Sequence, residues 1–107
     1  MDGIENLNVS LTYTDTLAAG IMAHTEGEAD PDSEWFPLFR IYAVLCLAKG
    51  EEVNAEDVHD AWSAWASQYR PGHKSNIPFG DLDEEVKRLD EPYVEAIRWF
   101  ATAPESP

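Results

Sequence analysis

The clearest potential for binding chemistry lies between Ala61 and Gly80, a stretch that contains no acidic residue. Arg70 and Lys74 give these 20 residues a charge of +2, whereas the other 87 residues carry −16. Aromatic faces and cations at the junction of a helix and a loop can hold a planar anionic ligand by stacking and charge-assisted hydrogen bonds. We therefore predict a ligand site formed by His59, Trp65, Tyr69, Arg70, His73 and Lys74. The alternative is that Arg70 and Lys74 only offset the negative end of the preceding helix dipole.

Two other patterns bear on metal binding. Glu56 and His59 have the spacing of one half of a di-iron site in a helical bundle, but a second Glu-x-x-His motif is missing from the sequence. The acidic run at 26–34 begins like a calcium loop, but Trp35 and Ile41 occupy the positions of the turn glycine and the bidentate Glu. We expect no metal site, a solvated acidic loop, and a structural role for His59.

Catalytic signatures are equally weak. Cys46, the only cysteine, lies in an apolar helical run and is expected to be an inert, buried thiol. No serine is flanked by the glycines of a nucleophile elbow. The close carboxylate pairs also fit solvated helix faces, so they do not identify an acid and a base. We expect a protein that is not an enzyme and needs no cofactor.

The charge and composition of the chain limit its partners. Seven Lys and Arg against 21 Asp and Glu give a net charge of −14 and an isoelectric point near 4.2. This balance argues against direct binding to nucleic acid or anionic lipid, since both need clustered cations. No secretory signal and no apolar run of ~20 residues is present. We expect a cytoplasmic protein that does not enter the membrane, with an unknown small ligand or protein as partner.

Hydrophobic periodicity predicts the first two helices. One starts at Tyr13, capped by Thr14 or Thr16, and ends in the acidic loop. The second is capped by Asp32 or Ser33 and carries Pro37 in its first turn. Gly50 ends it, and its nearly all-round apolar surface is typical of a central helix.

The third helix has the strongest start signal. Asn54 and Asp57 form a predicted capping box, and Val53 and Val58 form a hydrophobic staple. The apolar stripe of this helix includes two tryptophans. We expect Trp62 to lie in the core and Trp65 at the edge of the same face.

The C-terminal third completes the predicted fold. Ile77 and Phe79 are expected to insert from a Pro/Gly loop into the core, ahead of a short helix over Asp81–Leu89. Asp90 is placed to cap a last helix. The sequence therefore predicts an all-α, compact bundle of four to five helices at 13–102, with an N-terminal arm at 1–12 and a flexible tail at 103–107.

A set of residues from the third predicted helix to the start of the last helix follows the order and spacing of one known domain family. They are Val58-His59-x-x-Trp62, His73, Ile77-Pro78-Phe79, Leu82, Glu85, Lys87 and Asp90. This pattern resembles the RyR domain, the small helical repeat of ryanodine receptors that also occurs in prokaryotic and phage proteins. The run from Tyr42 to Ala101 is also similar to small proteins of actinobacteria and their phages.

The resemblance implies a helical domain with a non-catalytic role in sensing or binding. Our leading expectation is a cytoplasmic RyR-like binding module for a small nucleotide-like ligand or a protein. The alternative is an acidic interaction protein of phage or host origin that occupies a cationic site on a partner, as an inhibitor or DNA mimic does. Carboxylates spaced at phosphate-like intervals would favour the alternative.

Overall fold

The computed structural model describes residues 12–102, and this part of the chain folds into helices joined by short loops, with no strand. The helices are α1 (Tyr13–Glu26), α2 (Phe36–Lys49), α3 (Ala55–Tyr69), α4 (Glu84–Arg88) and α5 (Glu91–Thr102), with 3-10 turns at Gly50–Glu52 and Phe79–Asp81. The predicted all-α bundle is confirmed. Except for Thr12, the predicted arm lies outside the described residues, as does the predicted tail at 103–107.

The starts of α1 and α2 differ from the prediction. Thr12, rather than Thr14 or Thr16, caps α1, because only Thr12 has an acidic residue, Asp15, three positions later to complete a capping box. The N-cap position of α2 is taken by Trp35, which makes no side-chain capping bond. The predicted cap Ser33 instead accepts a hydrogen bond from the Trp35 amide at 3.0 Å. Pro37 does fall in the first turn, and Gly50 ends α2 as predicted.

The capping box of α3 is confirmed. Asn54 accepts from the Asp57 amide and Asp57 accepts from the Asn54 amide, both at 3.0 Å. Val53 and Val58, the predicted staple, are both fully buried.

The order of the two tryptophans on α3 is the reverse of our prediction. Trp65 is 2% exposed, whereas Trp62 is only partly buried. Trp65 turns toward the start of α2, where its ring stacks on Trp35 at 4.3 Å and its Nε1 donates to the Glu34 carbonyl at 3.0 Å. These partners belong to the segment before α2, so the stripe of α3 alone does not reveal which indole is buried.

Helix α2 is the centre of the bundle and packs against α1, α3 and α5. Its core side chains include Phe36, Phe39 and Tyr42. Helix α1 approaches α5 closely at Gly20, where an added Cβ would lie 2.9 Å from the Phe100 ring. No helix among residues 12–102 combines the length and the apolar character needed to cross a membrane.

The segment between α3 and α5 is less helical than predicted. The short helix α4 covers only Glu84–Arg88 of the predicted Asp81–Leu89. Ile77 does not insert into the core but is 41% exposed, and Phe79 is half-buried. Leu82, at 7% exposed, anchors this segment. The segment consequently lies over the bundle and covers one side of a cavity.

Candidate functional site

A cavity of about 690 Å³ lies between the α1–α2 loop, α2, α3, the segment after α3, and α5. Each of these elements contributes side chains to its walls. Most are aromatic or apolar, and the polar ones are mainly carboxylates and imidazoles. Small-ligand sites in proteins have this size and this mixture of an apolar lining with a few polar groups.

One wall of the cavity is built from α2 and α5. The ring centroids of Phe39 and Tyr42 lie 5.3 Å apart, and those of Tyr42 and Tyr93 lie 5.5 Å apart. Tyr42 is 2% exposed, and within residues 12–102 its hydroxyl forms no hydrogen bond. Burial, followed by the nearby Tyr93, Asp90 and Glu26, raises the pKa of Tyr42 well above its usual value. The neutral hydroxyl of Tyr42 is therefore available to a molecule in the cavity.

The opposite wall is built from α3 and the loop after it. His59 stacks on Trp62 at 5.7 Å between centroids, and His73 meets Trp62 edge-on at 5.0 Å. His59 is buried, and its Nε2 donates to the carbonyl of Ile77 at 2.7 Å. The Ser75 amide donates to Nδ1 of His73 at 3.0 Å. These bonds to the backbone fix both imidazole rings as parts of the wall.

Carboxylates supply the charge of the cavity. Asp90, just before α5, and three acids from the end of α1 and the following loop line it: Glu26, Glu28 and Asp30. Burial raises the pKa of Asp90 to about 6, with His59 acting against this rise and Glu91 adding to it. No Lys or Arg lines the cavity in the described part of the chain. Its electrostatic character is therefore acidic.

A hydrogen bond fixes one of these carboxylates at the wall. The Tyr93 hydroxyl donates to Oε2 of Glu26 at 2.9 Å and thereby joins α5 to the end of α1. Burial and this bond raise the pKa of Tyr93 to about 12. Glu26 is exposed, and this bond positions one of its carboxylate oxygens at the wall.

The six residues predicted to bind a ligand fall into separate places. His59 and His73 line the cavity. Trp65, Tyr69 and Arg70 form a stack outside it, in which the Trp65 and Tyr69 rings lie 5.2 Å apart and the Arg70 guanidinium lies 5.1 Å from the Trp65 ring. Lys74 is exposed in the loop. The predicted single site is therefore divided: two histidines belong to the cavity, three residues belong to the stack, and Lys74 belongs to neither.

Arg70 is already paired with a carboxylate within the fold. Its guanidinium forms two hydrogen bonds with the Glu34 carboxylate, at 2.9 and 3.3 Å, and also lies over Trp35. This geometry matches the bidentate pairing that Arg prefers with carboxylates. Arg70 thus closes the aromatic stack, and Trp35 is the residue that the stack and the cavity share.

Sequence reasoning did not identify Tyr42, Tyr93, Asp90 and Glu26 as site residues. The two tyrosines belong to apolar stripes, Asp90 was interpreted as a helix cap, and Glu26 as part of a solvated loop. A usable signal was present, because a tyrosine on a core stripe must place its hydroxyl against a partner or a cavity. Two such tyrosines near an acid would have indicated this wall.

Two other kinds of site considered from the sequence were a metal site and a reactive cysteine, and the described residues support neither. Within 12–102, no three or more His, Cys, Asp or Glu side chains are grouped so that they could hold a metal ion. Cys46 is buried, its Sγ lies 3.6 Å from the Ile97 carbonyl, and burial raises its pKa. A thiol with a raised pKa is a poor nucleophile.

Comparisons with known proteins give one match. The family model described as Domain of unknown function (DUF7701) matches residues 12–102, which are also the residues that the structure describes. No curated protein and no solved structure matches the chain.

Proposed function

The chain belongs to the DUF7701 family, and we propose that its domain is a non-enzymatic binding module of RyR-like type that holds a small ligand in the cavity. Tyr42 is the observation that carries this proposal. It is 2% exposed and lines the cavity, yet its hydroxyl has no hydrogen-bond partner among residues 12–102. No fully buried side-chain nitrogen or oxygen among these residues lacks a partner, so the unbonded hydroxyl opens into the cavity, where a ligand can supply its hydrogen bond.

The residues that resemble the RyR domain support the same location. Of the matching positions, His59, Trp62, His73 and Asp90 all line the cavity. Phe79 packs beside His59, with ring centroids 6.1 Å apart. Other positions of the pattern, Val58 and Leu82, are buried packing residues, so it is the four cavity residues that support a binding role.

A cavity-blocking variant tests the proposal. Val86 lines the cavity from α4, so Val86→Trp fills part of it, while Val44→Trp places the same bulk on the exposed side of α2, outside the cavity. Wild-type protein is screened by thermal shift against nucleotides, amines and amino acids. A ligand at 100 times its dissociation constant stabilises by ~2.7 kcal/mol, which gives a melting shift of about 10 °C for a domain of this size.

The expected result is a ligand that stabilises wild type and Val44→Trp but not Val86→Trp. If a ligand stabilises folded Val86→Trp as strongly as wild type, it binds elsewhere and the cavity is not its site. Circular dichroism confirms that both variants retain their helices before binding is compared.

The exposed acids favour a second candidate, an acidic interaction protein that occupies a cationic site on a partner. Glu28, Asp30 and Asp32 are all exposed in the loop between α1 and α2. Asp32 does not line the cavity, so Asp32→Lys should then weaken binding of a protein partner in a salt-sensitive way, while Val86→Trp keeps it. Because Cys46 is a free thiol, a reducing cytoplasmic setting suits either role.

A further inference from the structure

The charge around the cavity favours one class of ligand. Four carboxylates line it, and within the described residues no Lys or Arg does. The chain as a whole carries −14. Such a field repels phosphates and carboxylates and raises the local concentration of cations. A nucleotide-like anion is therefore a poor match for this cavity.

Asp90 lies between the two aromatic walls. It lines the cavity together with His59, Tyr42 and Tyr93, and is close enough to affect the pKa values of both tyrosines. Its side chain is half-buried, and among residues 12–102 it forms no ion pair and no side-chain hydrogen bond. Burial disfavours the charge of this carboxylate, and a cation in the cavity would stabilise it.

Tyr42 is a second, independent feature of the same place. Its hydroxyl opens into the cavity and can accept a hydrogen bond from an N–H group. Glu26, held by Tyr93, supplies a further acceptor. Trp62 and Trp35 offer large apolar surfaces for the rest of a ligand.

We propose that the cavity binds a protonated amine carried on an aromatic or apolar body, with the ammonium group at Asp90 and Tyr42 and the body between the aromatic walls. The inference rests on the proposed binding function and names the ligand class of that site. N–H donors can bond to both the carboxylate and the hydroxyl, so a protonated amine fits better than a quaternary ammonium.

Three probes with one indole body and different charges test the ligand class. Tryptamine is a cation, tryptophol is neutral, and indole-3-acetate is an anion at neutral pH. Each is titrated into the full chain, and amide chemical shifts of Tyr42, Asp90 and Tyr93 report occupancy of the cavity. We expect tryptamine to bind at least about tenfold more tightly than tryptophol, with indole-3-acetate weakest.

Variants connect the charge preference to Asp90. Asp90→Asn should weaken tryptamine binding at least about tenfold and tryptophol binding much less, since the neutral probe loses no charge attraction. Asp83→Asn, an exposed acid at the N-cap of α4 that does not line the cavity, is the matched control and should bind tryptamine like wild type. A capped peptide with one lysine among glycines carries an ammonium group without the aromatic body and should bind at these amides more weakly than tryptamine. Equal or tighter binding of the peptide would show that the aromatic body is not recognised and would overturn that part of the proposal.

The outcomes separate this inference from the proposal on which it rests. If tryptophol or indole-3-acetate binds at these amides as tightly as tryptamine, or if Asp90→Asn keeps full affinity for tryptamine, the cation preference is wrong and the binding module stands. If neither these probes nor the ligands of the screen perturb the cavity amides, both the inference and the proposed function fail.

Discussion

Replacing Asp90 by Asn should stabilise the protein near neutral pH. The pKa of Asp90 is raised from 3.8 to about 6 in the folded protein. Between these values the folded state binds a proton that the unfolded state has released, so stability falls as pH rises through this window. Above about pH 6 the folded state carries the whole cost of a desolvated carboxylate, which Asn does not have.

The size of the stability change follows from the pKa shift of Asp90. About two pKa units correspond to ~3 kcal/mol as an upper limit. Asp90 is only half-buried and lies beside the N-terminus of α5, and both solvent screening and the helix dipole reduce this cost. We expect Asp90→Asn to raise the free energy of unfolding by ~1 kcal/mol at pH 7, or about 4 °C in melting temperature, and to have no effect below pH ~4.

Urea unfolding followed by circular dichroism from pH 4 to pH 8 measures this difference directly. Asp83→Asn serves as the control, since Asp83 is exposed at the start of α4, and its stability should follow that of wild type across the range. Lower stability of Asp90→Asn than of wild type at pH 7, or a constant difference at all pH values, would refute the reasoning. The same substitution is expected to weaken amine binding, so stability and function are opposed at this residue.

Two further predictions concern packing. Trp65→Ala should cost ~3–5 kcal/mol and Trp62→Ala ~1–2 kcal/mol by urea unfolding, since Trp65 is 2% exposed and Trp62 only half-buried; a larger loss for Trp62→Ala would contradict the observed burial. Gly20→Ala should destabilise by ~1–3 kcal/mol, because the added methyl lies 2.9 Å from the Phe100 ring, and this outweighs the gain of up to ~1 kcal/mol in helix propensity. The control is Gly80→Ala, whose added Cβ has no atom within 4 Å and which should change stability by less than ~0.5 kcal/mol. A Gly20→Ala variant more stable than wild type would rule out the close approach of α1 to α5.

The helical class and the signals that act within a few residues could be predicted from the sequence. The capping box of Asn54 and Asp57, the start near Pro37 and the end at Gly50 are all present in the structure. Each depends on hydrogen bonds or backbone angles within one turn, so the residues that cause it are adjacent in the chain. The cap of α1 was missed because three nearby threonines offer similar hydroxyls, and only the position of Asp15 selects Thr12.

The cavity could not be predicted in this way. Tyr42, His59 and Tyr93 come from three different helices, and no periodicity within one helix requires them to meet. The prediction instead relied on the clustering of cations and aromatic residues along the chain. Of the six residues predicted in this way, only His59 and His73 line the cavity.

The sequence by itself determined the helices, their caps and the overall acidity, because these depend on residues close in the chain or on composition alone. Only the tertiary structure decided which indole of α3 is buried, that Arg70 is paired with Glu34, and that Asp90 and Tyr42 line one cavity. Glu34 lies 36 positions before Arg70, and such contacts form only when whole helices pack. The physical reason is that a side chain's burial, charge partner and pKa are properties of the neighbours that folding brings to it.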